Sequence, residues 1–466
     1  MKIFTRSLLL FALMFGVVMV TVAQDDDDNE KDKKDKKEKT ETAKEGWNIG
    51  GLPVVSYDSD LGLQLGALVN LYHYGDGTRY PRYDHSIYVE ASWFLKGSGI
   101  FRFYYDSDKL IKGIRTSFDL SYLPDRTFKF YGFNGYEAVY NSEWANDDPN
   151  NSEYVSRTFY RLDRKFFRAK LDFQGNITGD NFRWLAGADF YNIKMANVDV
   201  DKLNSGKSES DMLQDTSLFQ NYNDWGIISA NEREGGSLAI FKLGLVFDSR
   251  DNEALPTRGI YTEAVLATAP KFTSTMDNGF MKFAITHRQY FTIVKDKLSF
   301  AYRLGVQVNV AGKTPYYAEG IMYYVTMKGA YNEGLGGGKT IRGIERNRVI
   351  GDGIAYGNFE LRWKFVNFRL LNQNFYMALS GFFDSGRVIQ YVDIEDDVNK
   401  LPDTDPETGF VKADYFDIGA ENFHSSYGAG LHIAMNQNFI LAIDYGKAIS
   451  EKDGTSGLYI GLNFLF

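Results

Sequence analysis

The sequence predicts an all-β protein, a sixteen-stranded antiparallel transmembrane β-barrel. Three observations support this prediction. Many segments alternate strictly between apolar and polar residues, which is the period of a strand with two different faces. Most of these segments run about ten to thirteen residues, close to the ~9–11 that a strand needs to cross a bilayer at a tilt. Their connections are alternately short and very long, which is typical of outer-membrane barrels.

The first 23 residues have the features of a secretory signal peptide. Lys2 and Arg6 make the start positive, an apolar run follows from Leu8 to Val20, and Ala23 is the small residue at the cleavage site. The alternative is an N-terminal membrane anchor. A spanning helix would need about 20 apolar residues, which is more than this run provides.

Residues 24–46 form a charged segment, and residues 47–466 are assigned to the barrel. The segment contains one apolar residue, Ala43, and is therefore expected to be disordered. Its acids and bases nearly balance, which indicates a solvated tether; calcium binding by Asp25–Asp28 is the alternative. The whole chain has a net charge of -9 and no cysteine, and it has no basic patch that would bind nucleic acid.

Alternation is clearest in the later strands. In the segment 299–310 the apolar Phe300 and Leu304 share one face while Arg303 and Gln307 share the other. A β-sandwich would turn the polar face to bulk water, whereas a membrane barrel would turn it to a wet lumen. Strand length, aromatic residues near strand ends and the unequal connections favour the barrel. The predicted strands are 61–74, 85–95, 99–105, 111–122, 128–140, 155–174, 181–193, 237–248, 258–269, 279–291, 297–310, 354–366, 374–388, 423–435, 438–447 and 456–466.

The connections predict how the strands are oriented. An even strand number, with both termini in the periplasm, places every long connection on the outside. The segment 128–140 contains Gly132 and Gly135 and is included as a strand because this parity requires it. The long connection 194–236 mixes charged and aromatic residues and is a candidate for an external lid or a partner surface. The predicted external connections are 194–236, 311–353 and 389–422, and the predicted periplasmic turns are 178–181, 249–259 and 367–374.

The glycine-rich stretch from Gly334 to Gly353 first suggests a phosphate-binding loop. Gly338, Lys339 and Thr340 match the end of that motif. However, Glu333 stands where the first glycine belongs, and a carboxylate there would repel phosphate. The residues that follow have no helical period, so there is no helix N-terminus to bind an anion. The stretch therefore does not predict a nucleotide site.

The same stretch continues as TIRGIERNRVIGDGIAYGNFELRW, which resembles the BamA/TamA-like outer-membrane barrels, also called the bacterial surface antigen family. In that family the sixth external loop carries a [VI]-R-G-[FY] motif, folds back into the barrel and returns to an N-x-E-x-R strand. The resemblance therefore implies an inward-folded sixth external loop in this chain. An isoleucine replaces the usual aromatic residue at the fourth position here. The matching residues are Ile341, Arg342, Gly343 and Ile344 in the loop, and Asn358, Glu360 and Arg362 in the returning strand.

Two further blocks carry the same resemblance. GFFDSGRV is similar to the family's F-x-D-x-G strand, and Asp384 and Gly386 stand at the aspartate and glycine positions of that motif. The resemblance implies that Arg342 pairs with Asp384 in the lumen. Alternation independently turns Asp384 inward, where a partly desolvated carboxylate is best partnered by arginine; contact with lumenal water is the alternative. The family's periplasmic turn motif is matched by Asp248, Arg250, Asp251, Pro256 and Gly259.

The final residues resemble the C-terminal strand signature of outer-membrane proteins. This signature has a small residue followed by two aromatic residues two positions apart, here Gly461, Phe464 and Phe466. The alternative is an ordinary last strand. The family's periplasmic repeat modules would need more residues than precede the first predicted strand, so the expected protein is the barrel alone.

The resemblance implies a function in outer-membrane protein insertion, assembly or translocation, in a Gram-negative outer membrane. Expected partners are outer-membrane lipid or lipopolysaccharide and other outer-membrane or periplasmic assembly proteins, with no cofactor, nucleotide or nucleic acid. A passive channel, or a structural partner barrel of another complex, is the alternative. An enzyme is not expected, and the scattered histidines do not have the spacing of metal ligands: His73, His85, His287, His424 and His432.

Overall fold

The computed structural model describes residues 44–466 except 81, 149, 254–255, 276–277, 324–332, 371–372, 436–438 and 463–464. Sixteen antiparallel strands form a closed barrel in which the last strand meets the first. The signal peptide and nearly all of the charged segment lie outside the described residues, as does Phe464 of the proposed C-terminal signature. Among the described residues, no helix is both long and apolar enough to span a membrane.

Barrel strands follow one another around the wall in chain order, apart from a two-residue ladder (β14 with β15) in one connection. The strands are β1 (Trp47–Asp58), β2 (Gly62–His73), β3 (His85–Phe94), β4 (Gly99–Ile111), β5 (Ile114–Lys129), β6 (Arg161–Thr178), β7 (Phe182–Asn197), β8 (Gly235–Asp248), β9 (Gly259–Ala269), β10 (Phe280–Val294), β11 (Leu298–Gly312), β12 (Gly353–Leu370), β13 (Gln373–Gln390), β14 (Thr404–Asp405), β15 (Phe410–Val411), β16 (His424–Met435), β17 (Phe439–Ala448) and β18 (Ser456–Leu462).

The predicted barrel and its strand number are confirmed, but two strand assignments are wrong. The first strand is Trp47–Asp58, which was not predicted because two glycines and a proline interrupt its alternation. The predicted strand 128–140 is not a strand: β5 ends at Lys129, and the chain then leaves the barrel wall. A Cβ on Gly132 would lie 2.2 Å from the Tyr222 hydroxyl, so this glycine packs against a loop. The two errors offset each other in the strand count.

The two faces of the wall differ as the alternation predicts. In β12, Phe359, Leu361 and Trp363 are exposed, whereas Glu360 and Arg362 are buried on the opposite face. Several charged residues on the buried face are paired with opposite charges, some of them on neighbouring strands. The Lys242 ammonium, for example, lies 2.7 Å from a carboxylate oxygen of each of Asp172 and Asp189. Such pairing is necessary because an unpaired charge away from water is costly.

Four long connections lie at one end of the barrel. They follow β5, β7, β11 and β13, which all run in the same direction because neighbouring strands are antiparallel. Their aromatic residues pack together, with the Phe130 and Tyr222 rings 5.1 Å apart. Short helices occur within these connections. The connection 130–160 replaces the strand that was wrongly predicted there. The four connections are 130–160, 198–234, 313–352 and 391–423.

The seam between the first and last strands, β1 and β18, is short. Among the described residues it has two register pairs, Tyr57 with Ile460 and Asp58 with Tyr459. Next to them, the Ser59 amide donates to the Leu458 carbonyl over 3.2 Å. By contrast, the register of β1 with β2 runs without a break from Trp47 to Asp58. The barrel is therefore closed at the end that carries the long connections, and most of β1 has no described partner on β18.

The turn that follows β1 contains a carboxyl group, Asp60, beside this seam. Burial and then the nearby carboxylates of Asp58 and Glu345 raise the pKa of Asp60 to about 8, against the opposing charges of Lys129 and Arg346. Because the folded state favours the protonated form, we expect this contribution to stability to be complete below pH ~4 and to be lost as the pH rises towards 8.

Thermal unfolding of the detergent-purified barrel between pH 4 and 9 would measure this effect. The Asp60→Asn variant should show a weaker fall in stability over the same range, since the amide does not titrate. Identical pH profiles for the two proteins would exclude Asp60 as the titrating group.

Candidate functional site

The candidate site is built around residues 333–353, here called the inner segment. Almost all of it is buried, with Lys339 as its exposed side chain. A hairpin forms within it because the Gly337 amide donates to the Ile344 carbonyl over 2.8 Å. Glycine is required at Gly336, which has a φ of 116°. A Cβ there would lie 2.0 Å from the Glu345 carbonyl oxygen.

Arg342 of the inner segment binds Asp384 of β13 through three hydrogen bonds. Its Nε and Nη2 donate to the two carboxylate oxygens over 2.9 and 3.1 Å, and its backbone amide donates to Oδ2 over 3.1 Å. Asp384 is 0% exposed. Two parallel bonds from one guanidinium to one carboxylate fix direction as well as distance. The structure thus brings together Arg342 and Asp384, the two residues whose pairing the resemblance implies.

The same guanidinium reaches two more strands. Its Nη1 lies 3.0 Å from a Glu360 oxygen on β12 and 3.5 Å from an Asp444 oxygen on β17. Its carbon Cζ sits 3.4 Å from the centre of the Phe382 ring on β13. One buried cation therefore holds the inner segment against three barrel strands, because each of these carboxylates needs a positive partner.

The returning strand contributes the other predicted residues to the same network. The Asn358 side chain donates through Nδ2 to the Thr340 carbonyl of the inner segment over 2.6 Å and accepts at Oδ1 from Arg303 Nε over 2.8 Å. Arg362 Nε donates to Glu360 over 2.9 Å. Asn358, Glu360 and Arg362 thus lie on one face of β12, as the period of two predicts.

Small residues make the close contact between segment and wall possible. Gly343 has a φ of 94°, and a Cβ there would lie 2.5 Å from the backbone of Gly446 on β17. On β13, a Cβ at Gly386 would lie 2.9 Å from the Leu335 side chain. The flanking Ile341 and Ile344 are both buried in the main apolar cluster. Isoleucine at position 344 therefore still serves as an apolar anchor.

Two arginines of the inner segment were not singled out from the sequence. Arg346 Nη1 donates to Asp125 at the end of β5 over 2.6 Å. Arg348 donates to the carbonyls of Gly135, Ala138 and Lys452 over 2.9, 3.1 and 2.9 Å. They join the segment to the connection 130–160 and to the turn before β18. The available signal was a charged run, ERNR, inside a segment expected to be buried.

Tyr459 is a further residue that the sequence did not reveal. It lies on β18, opposite Asp58 in the seam, and its hydroxyl accepts a hydrogen bond from the Gly343 amide over 3.2 Å. A Cβ on Gly338 would lie 2.8 Å from its ring. This side chain therefore connects the inner segment directly to the seam.

The predicted turn motif lies at the opposite end of the barrel, between β8 and β9, and does not join this site. Arg250 binds the Asp248 carboxylate with two bonds of 2.9 Å. Asp251 caps the turn by accepting from the Thr257 amide over 2.9 Å. Pro256 is buried, and a Cβ on Gly259 would lie 2.4 Å from the Ser249 carbonyl. The motif shapes a tight turn.

The predicted C-terminal signature is divided between the wall and the interior. Gly461 pairs with Ala442 of β17. Phe466 is buried: its main-chain oxygen accepts from Arg362 over 3.0 Å, and the Arg303 guanidinium lies 5.4 Å from its ring. This end of the chain therefore contacts the same arginines as the returning strand.

The chemistry of the site is electrostatic anchoring. The described residues contain no group of three or more histidine, aspartate or glutamate side chains placed to hold a metal ion. Instead, each carboxylate around Arg342 accepts hydrogen bonds from arginine. The arrangement links the inner segment, the seam and the returning strand in one network of charged hydrogen bonds.

Comparison with known proteins identifies relatives of this fold. Residues 101–466 match the model of the Omp85 superfamily domain. No curated protein sequence matches the chain.

Solved structures give a similar picture. BamA from Haemophilus ducreyi lacking POTRA domains 1–3 superposes with a TM-score of 0.52 at 14% identity, covering 90% of this chain and 71% of that one. CdiB from Escherichia coli has a TM-score of 0.55 at 12% identity, covering 91% of this chain and 64% of that one. At these identities the likeness concerns the fold.

Proposed function

The chain belongs to the Omp85 superfamily of outer-membrane barrels, which are transporters and insertases rather than enzymes, and from that premise we propose that it inserts or translocates other proteins. The observation that supports this most directly is the seam. Only Tyr57 and Asp58 of β1 have register partners on β18 among the described residues. A strand edge with unpaired amides and carbonyls is a template on which another strand can add.

We propose that the inner segment folds into the barrel and holds strands β12, β13 and β17 together while β1 separates from β18. Support comes from its anchoring on β12, β13 and β17 through Arg342, all of them away from β1. On the seam strand β18, the inner segment contacts the Tyr459 side chain, through a hydrogen bond to its hydroxyl and the close approach of Gly338 to its ring. A firm anchor on one side therefore leaves β1 free to separate from β18.

We further propose that both ends of the barrel domain face the periplasm and that the long connections face outwards. The support is that four long connections share one end of the barrel, and long loops are external in bacterial barrels. Outer-membrane lipid or lipopolysaccharide then surrounds the exposed apolar face, and periplasmic or outer-membrane assembly proteins are the partners.

Locking the seam tests the proposed function. The chain has no native cysteine, so Ser56→Cys with Gly461→Cys, which continue the register of the two observed pairs, can form a single disulfide across the seam. A Cβ at Gly461 meets nothing within 4 Å. We expect oxidation to reduce the levels of other outer-membrane barrels in cells that depend on this chain, and a reductant to restore them.

The matched control is Val55→Cys with Leu65→Cys, a register pair of β1 and β2, where a disulfide leaves the seam free.

Depletion of the chain should lower the levels of other barrels in the same way as the locked seam. Unchanged barrel levels, together with conductance in a planar bilayer, would instead indicate a passive channel.

A further inference from the structure

We propose that Pro53 prevents β18 from pairing with β1 along its full length. The unpaired edge of β1 then remains available to a strand of another protein. The inference rests on the proposed function, since it concerns the edge on which a client strand would add. Pro53 lies in the middle of β1, opposite Ala67 of β2. It is half-way between the closed part of the seam and the strand's start at Trp47.

Two hydrogen bonds determine which way the backbone at position 53 points. The Ser59 amide donates to Leu458 on β18, so position 59 faces the seam. The Leu95 amide donates to the Leu63 carbonyl, so position 63 of β2 faces β3 and its partner Tyr57 faces the seam as well. Amides alternate along a strand, and the register of β1 with β2 has no bulge. Position 53 therefore also faces the seam.

Proline has no amide hydrogen, so β1 offers no donor at this position. A strand that pairs with β1 on both sides of Pro53 must leave one of its own carbonyl groups without a hydrogen-bond donor. This holds for β18 and for an incoming strand alike, whatever its register. Loss of one hydrogen bond weakens the pairing of either strand with β1 beyond this position, since neither can form an unbroken ladder along the full length of β1.

The positions of residues 465 and 466 agree with this. If the register of the two observed pairs continued, position 465 would lie opposite Leu52, beyond Pro53. Instead Leu465 packs beside Tyr290 and Ala301 on the inner wall, and the Phe466 main-chain oxygen accepts from Arg362. Leu465 and Phe466 thus lie inside the barrel rather than along the edge of β1.

The partner that fits this edge is a single extended strand from another protein, bound mainly through its backbone. Main-chain pairing supplies the affinity in such strand addition. Because Pro53 removes a donor in the middle of the edge, the added strand is held by two shorter ladders. Such a strand can be released again, which an insertion site must permit.

Cross-linking across the unzipped part of the seam tests the inference. In the purified full-length barrel, Leu52→Cys with Leu465→Cys reports whether the strands meet beyond Pro53. We expect little disulfide with Pro53 present, and about a threefold to tenfold increase when Pro53→Val or Pro53→Ala restores one hydrogen bond. Unchanged cross-linking in both variants would overturn the proposal.

The matched control moves the proline along the same edge. Combining Pro53→Val with Val55→Pro again removes one seam-facing donor, so cross-linking should return to the original low level; a high level would also overturn the proposal. The assay needs no client. A seam that tightens as expected, in cells whose other barrels do not depend on this chain, would uphold the role of Pro53 and reject the proposed function.

Discussion

The Arg342→Ala variant is expected to lose about 3–5 kcal/mol of folding stability, because removing one partner of a buried ion pair leaves charge without compensation. Here one substitution leaves Asp384, Glu360 and Asp444 short of a shared cation. It also removes the main link between the inner segment and β13. Urea unfolding of the detergent-purified barrel, with the gel mobility of unheated samples as a second readout, would measure the loss.

Two variants separate the role of Arg342 from a general effect of losing an arginine. Arg342→Lys keeps the charge but cannot make the two parallel bonds, so an intermediate loss is expected. Arg82→Ala removes an arginine whose side chain is 68% exposed and should change stability by no more than about 1 kcal/mol. If Arg342→Ala were as stable as Arg82→Ala, the network around Asp384 would not stabilise the fold.

The Gly343→Val variant is expected to prevent the inner segment from docking against β17. A β-branched residue at a φ of 94° is strained, at a cost of about 1–3 kcal/mol. In addition, its Cβ would lie 2.5 Å from the Gly446 backbone, so segment and strand would have to separate. Limited proteolysis should then cut the inner segment in the variant at protease concentrations that leave the parent chain intact.

Gly381→Val is the matched control for this change. It lies on β13, and a Cβ there meets nothing within 4 Å. Its effect on stability should stay within about 0.5 kcal/mol, as for other surface substitutions. Equal protease sensitivity in the two variants would mean that the contact between Gly343 and Gly446 does not hold the segment in place.

Much of the barrel could be predicted because its strands have two different environments. Phe359, Leu361 and Trp363 alternate with Asn358, Glu360 and Arg362, and the structure exposes the first set and buries the second. That pattern depends only on the period of a strand. The first strand was missed for the same reason, since Gly50, Gly51 and Pro53 weaken its alternation. Conversely, the aromatic residues of 128–140 resembled a strand although they pack among loops.

The site was only partly predictable. Arg342, Asp384 and the returning strand were proposed from a resemblance and from the inward face of β13, and the structure places them within hydrogen-bond distance. Arg348 was not proposed, because its acceptors are backbone carbonyls such as Gly135 in a connection more than 200 residues away. A backbone acceptor has no residue-type signal, so no pattern could identify it.

The sequence by itself determined the class of the fold, because that follows from the local periodicity of the strands. The spacing of the long connections placed them at one end of the barrel. The motif around Arg342 identified the inner segment. Only the tertiary structure decided how the barrel closes. The two-pair seam of Tyr57 and Asp58 with β18, and the seam-facing position of Pro53, depend on how the first strand meets the last. That meeting is a contact between residues some 400 positions apart, set by the curvature of the whole sheet rather than by either strand alone.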